Sequence, residues 1–420
     1  MKFLIPLIIC FNILISEIIN EIKIIGNINT KNHIILREIR HPLDIEFSDS
    51  LRIEDRNRLY NLGIFSFVEI KQIENIYQIN VDEIFQFYPL PLIDLDESKG
   101  SSGISYGFAL SIINLNGKNQ SLEIGSMLGN KQVYFLRFRD PWAIGDRIPF
   151  YLNLFQNFEQ SFLYENDIEN IFSNKKQGLE IGTGFNIELR NKFYFNIGLF
   201  QQLINFNNFN AFNIVQDYQN IGFEFNYSYD SRDIFIDPTK GKQFKINLNH
   251  NYGIDESESF SNINLEFNQY YEILEFKNLI LNLKSKFLLQ DSKHIPIFNY
   301  YSLGGEDYIR GYNPYPNNNP VPIKKYIRVS QLYSQTIEFQ YTIFEKKSYD
   351  GFEFGMDNLW FIDFGLGGYS LDEFLINKPL IGFGTGMRFF ISGIGTIGLD
   401  LGFNPYSLNP QLHLSDNNKD

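Results

Sequence analysis

From about residue 84 to residue 416 the chain alternates apolar residues with polar or small ones, with a period of two and few breaks. That period admits strands and little else, because successive side chains of a strand point to opposite faces. Ile104, Tyr106, Phe108, Leu110 and Ile112 share one face, and Ser105, Gly107, Ala109 and Ser111 share the other. Phe223, Phe225, Tyr227 and Tyr229 alternate in the same way with Gly222, Glu224, Asn226 and Ser228. Turn residues separate such segments at Asn116-Gly117, Gly129-Asn130, Asp237-Pro238 and Asn404-Pro405. Repeated alternating segments of roughly ten residues, with one aromatic-rich face, are the pattern of a membrane β-barrel. A closed barrel leaves no backbone group unpaired in lipid, whereas a soluble sandwich seldom needs so many long strands with one uniformly apolar face. The pattern predicts a transmembrane antiparallel β-barrel of about sixteen strands over residues 84–420.

Composition narrows the function. A formal charge of -13 opposes binding to nucleic acid, which calls for basic patches. A mean hydropathy of -0.21 is too polar for a helical membrane protein. Residues 1–16 carry one early lysine and then an apolar run, which reads as a secretory signal with Ser16 as the small residue near its end. The single cysteine, Cys10, lies inside that run, so the mature chain is expected to hold no disulfide. Gly103-Ile-Ser105-Tyr-Gly107 matches a nucleophile elbow but sits on an alternating strand, without the strand-turn-helix setting that motif needs. Gly393-Ile-Gly395-Thr-Ile-Gly398 matches a dinucleotide fingerprint with no helix behind it. His33, His41, His250, His294 and His413 are never at ligand spacing. No enzyme, cofactor or metal is expected.

Residues 20–83 follow another rhythm. Glu21 to Asn27 reads as a strand. Thr30 is a candidate N-cap for an amphipathic helix carrying Ile34, Ile35, Leu36 and Ile39, and Pro42 closes it. A second helix from about Asp49 to Leu62 stops at Gly63. Phe65–Ile73 and Ile76–Ile84 then form a hairpin about Glu74-Asn75. This β-α-α-β-β order is a small α+β domain. Its wording (Ile-Ile-Gly-Asn-Ile-Asn-Thr, then Arg-Leu-Tyr-Asn-Leu-Gly-Ile-Phe-Ser-Phe-Val-Glu-Ile) resembles a POTRA domain.

Near the C-terminus, three consecutive strands share an unusual face. Opposite Trp360, Ile362, Phe364 and Leu366 lie Asp363, Gly365 and Gly367. Opposite Ile381, Phe383, Met387 and Phe389 lie Gly382, Gly384, Gly386 and Arg388, and opposite Ile397, Leu399, Leu401 and Phe403 lie Thr396, Gly398, Asp400 and Gly402. Glycine inside a strand often marks close approach of another backbone, so these strands should leave a groove on the lumen side. The segment Gly304-Gly-Glu-Asp-Tyr-Ile-Arg310-Gly311-Tyr312, within a loop spanning 291–329, carries a cation flanked by glycine. Arg310 is expected to enter the groove and pair with Asp363, with Glu338 and Asp400 as the other carboxylates in reach; the alternative from the residues alone is a surface loop with Arg310 in solvent.

Gly-Gly-x-x-x-x-Arg-Gly-Tyr, Phe361-Ile-Asp-Phe-Gly365 and the glycine-rich strand ending Met387-Arg388 are similar to the barrel of the BamA-type superfamily of outer-membrane assembly and secretion proteins. Asp140-Pro141-Trp142, Tyr229-Asp-Ser-Arg-Asp233 with Pro238 and Gly241, and the entry segment Phe87-Tyr88-Pro89-Leu90-Pro91-Leu92 support it. The resemblance implies an arginine loop inside a 16-stranded barrel, latched to the aspartate of the Phe-x-Asp-x-Gly strand. It implies a cell outer-membrane location with the POTRA domain in the periplasm, and contact with outer-membrane lipid. Unfolded outer-membrane protein clients and accessory lipoproteins are the implied partners. A client strand would pair with the edge at Phe65, Phe67, Glu69 and Lys71, and then with a weak seam between the first and last strands. The last strand reads as short, because Gln411-Leu-His-Leu-Ser415 is followed by Asp-Asn-Asn-Lys-Asp. A protein-secretion pore of the two-partner type and a passive porin are the alternative readings.

Overall fold

The computed structural model describes residues 18–95, 103–145, 147–165, 168–187, 190–209, 212–273, 278–290, 296, 299–315, 318–320, 322–323 and 327–416. The expected signal at 1–16, with Cys10, lies outside the described residues.

The N-terminal domain holds β1 (Ile18–Ile19), β2 (Glu21–Ile25), α1 (Asn32–Leu36), β3 (Ile45–Glu46), α2 (Asp49–Tyr60), β4 (Phe65–Ile73) and β5 (Ile76–Glu83). Its sheet has the order β2-β5-β4, with β2 parallel and β4 antiparallel to the central strand. β1 and β3 add a two-residue ladder beyond the β-α-α-β-β order. Ile34, Ile35, Leu59, Val68, Ile70, Tyr77 and Ile79 fill the core. Asp55 is fully buried there, yet satisfied: it accepts from the backbone N–H groups of Arg40 (2.7 Å) and His41 (3.2 Å) and from the Tyr77 hydroxyl (2.9 Å). Helix α2 starts where the Ser48 hydroxyl accepts from Leu51 N and ends at Tyr60, with Gly63 beyond it at φ +69°. Helix α1 is shorter than its apolar spacing suggests. Lys31 occupies the N-cap without a side-chain bond, and Thr30 is buried instead, its Oγ1 accepting from Asn114 Nδ2 at 2.8 Å. A tertiary contact has taken the capping hydroxyl.

The remaining strands build one antiparallel sheet of 16. They are β6 (Phe87–Leu95), β7 (Ile104–Leu115), β8 (Gln120–Leu128), β9 (Gln132–Ile144), β10 (Ile148–Glu165), β11 (Ile168–Ile187), β12 (Asn191–Phe209), β13 (Phe212–Asp230), β14 (Gly241–Gly253), β15 (Phe260–Glu272) and β16 (Leu279–Gln290). After a loop with its own pair, β17 (Tyr301–Ser302) and β18 (Arg328–Val329), come β19 (Gln331–Tyr349), β20 (Phe352–Gly368), helix α3 (Leu371–Ile376), β21 (Leu380–Ile391), β22 (Gly395–Asn404) and β23 (Ser407–Asp416). Each strand pairs with its neighbour in sequence, and β16 pairs directly with β19. Strands run to 17–20 residues in β10–β13, β19 and β20, and to only 9–12 in β6–β8 and β21–β23.

The period-two pattern becomes a two-sided wall. Tyr106, Phe108, Trp360, Ile362, Ile381, Phe383, Leu399 and Leu401 are exposed on the outside, while Ser105, Ala109, Phe361, Asp363 and Asp400 are buried on the inside. The sheet curls until its ends approach each other: the Tyr88 ring on β6 lies against Gly393 in the β21–β22 turn, one strand short of the far edge. No ladder joins β6 to β23 among the described residues. The last strand is longer than its sequence suggests, but its regular ladder with β22 begins only at Gln411, beyond an irregularity that contains Pro410.

Candidate functional site

A loop enters the barrel at one end, and the N-terminal domain docks on its turns at the other. At the far end the β16–β19 loop folds inward. The β17–β18 pair, Leu303 N to Ile327 O (2.7 Å) and Gly305 N to Tyr312 O (2.9 Å) close it on itself. Its Leu303, Ile309, Ile327 and Val329 pack on Leu288, Leu332 and Leu380 of the wall.

This fold holds Arg310 against the glycine-rich strands, only 5% exposed. Arg310 Nε and Nη2 donate to the two oxygens of Asp363 at 2.8 and 2.9 Å, and its backbone N–H adds a third bond to Asp363 at 3.0 Å. Nη1 reaches Glu338 and Asp400, both at 3.0 Å. All three carboxylates named from the sequence thus meet one guanidinium, with Asp363 as its two-pronged partner. Arg388 joins them, with Nη2 2.8 Å from Asp400 Oδ2, and Thr336 Oγ1 donates to Asp363 Oδ1 at 2.9 Å. Two guanidinium groups set against three carboxylates offset most of the cost of removing these charges from water.

The glycines divide by role. A Cβ at Gly382 would overlap the carbonyl oxygen of Arg310, and one at Gly402 the N–H of Gly311. Gly365 makes room for Ile309, and Gly367 for Val329. Gly384 and Gly386 serve the wall itself, admitting Leu401 O with the Phe361 ring, and Asp400. Gly311 sits at φ +92° against Phe403, where a side chain would be both strained and obstructed. Tyr312 is fully buried, its hydroxyl donating to Ile381 O at 3.1 Å.

Sequence reasoning did not single out two residues of this site. Phe361 lies under Arg310, the guanidinium carbon 3.4 Å from its ring centroid. His413 on β23 is fully buried, and its Nε2 accepts from Gly311 N at 3.1 Å. Strand parity points to both: Phe361 sits between outward Trp360 and Ile362, and His413 between outward Leu412 and Leu414. Through His413 the loop holds the last strand as well as the wall.

At the near end the N-terminal domain docks on the barrel turns. Lys31 N donates to Gly117 O at 3.0 Å, and the Arg37 guanidinium lies 4.0 Å from the centre of Trp142. Asn61, at the end of α2, donates to Asp233 O (3.0 Å) and accepts from Phe235 N (2.9 Å). The Tyr60 hydroxyl donates to Glu353. Burial, and then the nearby Glu353 carboxylate, push the Tyr60 phenol well above its usual pKa, so it remains a donor. The Tyr229–Asp233 motif builds the docked turn: Arg232 clasps Asp230 at 2.7 Å, and Asp233 accepts from Thr239 Oγ1 at 2.6 Å. The turn carries Asp237 across to Lys346 (2.8 Å) and Gln340 (3.1 Å) of β19.

Of the expected client edge, Phe67 is 41% exposed, and Glu69 pairs with Lys71 at 2.8 Å. Phe65 does not share their face: the irregularity between Phe65 and Phe67 turns it into the core, 3% exposed. The start of β4, Ser66–Val68, faces Lys346–Tyr349 across a cleft of about 440 Å³. β4 pairs with β5 alone among the described residues, so its outer edge beyond the cleft carries no ladder.

Residues 114–409 match the family model described as the Omp85 superfamily domain. Three solved structures share the architecture. BamA from Haemophilus ducreyi lacking POTRA domains 1–3 is 15% identical, with 95% of this chain and 83% of that chain covered and a TM-score of 0.58. CdiB from Escherichia coli is 13% identical, with 95% and 75% covered and a TM-score of 0.59. CdiB from Acinetobacter baumannii is 13% identical, with 94% and 72% covered and a TM-score of 0.52. At such identities the likeness is one of fold. No curated protein matches the chain.

Proposed function

The chain belongs to the Omp85 superfamily, and from that membership we propose that it is an outer-membrane β-barrel assembly factor, inserting and folding client outer-membrane proteins. Residues 1–16 are its export signal, 20–83 a POTRA domain in the periplasm, and 84–420 the barrel, with 291–329 as its internal loop. The observation that carries this reading is that no ladder joins β6 to β23 among the described residues, in a barrel whose lumen already holds a packed loop. A passive porin needs an open lumen and a closed wall, and here the lumen is occupied while the described residues of β6 and β23 share no ladder.

Client segments arrive as extended chain at the outer edge of β4, around Phe67, Glu69 and Lys71, where a strand adds through backbone hydrogen bonds. They pass to the seam, where an unpaired edge templates the next strand. Accessory lipoproteins bind the periplasmic domain. The work is strand exchange, with neither a reacting bond nor a bound nucleotide. Arg310 keeps the loop on β20–β22 and, through Gly311 and His413, keeps the last strand in place.

Export of a dedicated protein through the lumen is the second reading, and it requires the Arg310 loop to leave. Depletion of the protein tests the choice. Unrelated outer-membrane barrels should fall in abundance together, and unchanged levels with loss of one secreted protein would establish export instead. In a strain depending on Arg310→Ala, the variant barrel should be present and folded while client insertion fails.

A further inference from the structure

The two edges that meet at the seam are unequal. Ile113 N donates to Gln86 O at 2.8 Å, and these residues stand opposite each other in the register that pairs Phe87 with Ile112. They are therefore a hydrogen-bonded pair of the β6–β7 ladder. In an antiparallel ladder such pairs alternate with pairs whose N–H and C=O groups point away. The β6–β7 register runs unbroken from Phe87 to Leu95, so Tyr88, Leu90, Leu92 and Asp94 bond to β7. Phe87, Pro89, Pro91, Ile93 and Leu95 turn their backbone groups toward the seam. Two of those five are prolines, which have no N–H. The middle of the first strand's free edge thus offers carbonyls and no donors. An antiparallel strand laid there loses two bonds in succession and leaves two of its own carbonyls unpaired, a costly state beside lipid.

We propose that β6 is a blunted edge and that the client strand is templated by the free edge of β23. The regular stretch Gln411–Asp416 contains no proline. It is held from inside: Gly311 N bonds to His413 Nε2 at 3.1 Å, and Asn313 Nδ2 approaches Gln411 Oε1 at 3.4 Å. Its other face is fixed to β22 from Ile397 to Gly402. A template must keep its register while one side stays unpaired, and the loop supplies that support. β6 is tethered instead at its start, by the Tyr88 ring against the β21–β22 turn at Gly393, and shares no ladder with β23 among the described residues. Proline on an exposed edge is a known means of preventing unwanted pairing, and here it keeps the barrel from zipping itself shut.

This inference rests on the assembly reading, and the experiment separates the two. The only native cysteine is Cys10, so engineered thiols in the barrel report without interference. Cysteines replace outward Ile93 on β6 or outward Leu412 on β23, and a model client barrel carries single cysteines along its terminal strands. During insertion under mild oxidant, the Leu412→Cys protein should capture client, and the Ile93→Cys protein several-fold less. Capture through Ile93→Cys at an equal or greater yield overturns the proposal. Capture at neither position, with unrelated barrels at normal levels after depletion, overturns the assembly reading instead. The edge itself is read without client. P89V/P91V restores two donors, and the Ile93→Cys to Leu412→Cys disulfide should rise roughly tenfold, the scale of two regained backbone bonds. No rise in a heat-modifiable, folded barrel overturns the blunting. Should that double variant fail to fold, client capture by the wild-type seam still decides.

Discussion

The far-end loop and the near-end domain both close the barrel, by opposite means. The loop is committed: a buried guanidinium spends its donors on three carboxylates, and glycines remove every Cβ that would keep its backbone off the wall. The domain is perched: it touches barrel turns through hydrogen bonds at Thr30, Lys31, Asn61 and Tyr60, one cation resting on Trp142 and the apolar side chains of Ile113 and Ile234. Charge networks sealed from water fail steeply when one member is lost, whereas contacts at a wet rim fail one at a time.

Arg310→Ala should break the contrast most. It leaves Asp363 and Glu338 buried without their cation and should cost about 3–5 kcal/mol, seen as a lower denaturation midpoint and protease cleavage within the loop. Arg310→Lys should recover only part, because an ammonium cannot form the two-pronged bond to Asp363. Gly382→Val comes next, at about 1–3 kcal/mol, because its side chain meets the Arg310 carbonyl. Its signature is exchange of the Arg310 and Gly311 amides, with the β20–β21 ladder still protected. Tyr60→Phe removes the donor to Glu353 and should cost about 1.5 kcal/mol of docking, read as faster cleavage between the domain and β6. Asn61→Ala should cost about 1 kcal/mol by the same measurement. A docking loss as large as that of Arg310→Ala would abolish the distinction between committed and perched.

Parity made the wall legible, since burial on one side leaves a period-two record at every strand. It also gave Arg310 a destination beside Asp363, because glycine on three adjacent inner faces often marks close approach, and the family resemblance chose that over a solvent-facing loop. What escaped were features fixed by three-dimensional neighbours. Thr30 looks like a cap in sequence, and only the arrival of Asn114 turns it elsewhere. Phe65 leaves the exposed face of its strand through one irregularity in pairing, which leaves no local mark. His413 was set aside for lack of a metal-ligand partner, although its inward parity was readable. The docking pairs Asn61–Asp233 and Arg37–Trp142 each join unlike elements, and no pattern within either partner announces the other.

Strand length has a consequence for the surrounding lipid. A strand rises about 3.3 Å per residue and tilts by roughly 40° in such barrels, so twenty residues stand about 50 Å tall and ten only about 25 Å. The wall is therefore lopsided: tall along β10–β13 and low where β21–β23 approach β6. The low side matches the apolar band of a thin membrane with nothing to spare. Lipids there must shorten to meet it, and hydrophobic mismatch is then greatest beside the stretch of wall where the described residues form no ladder.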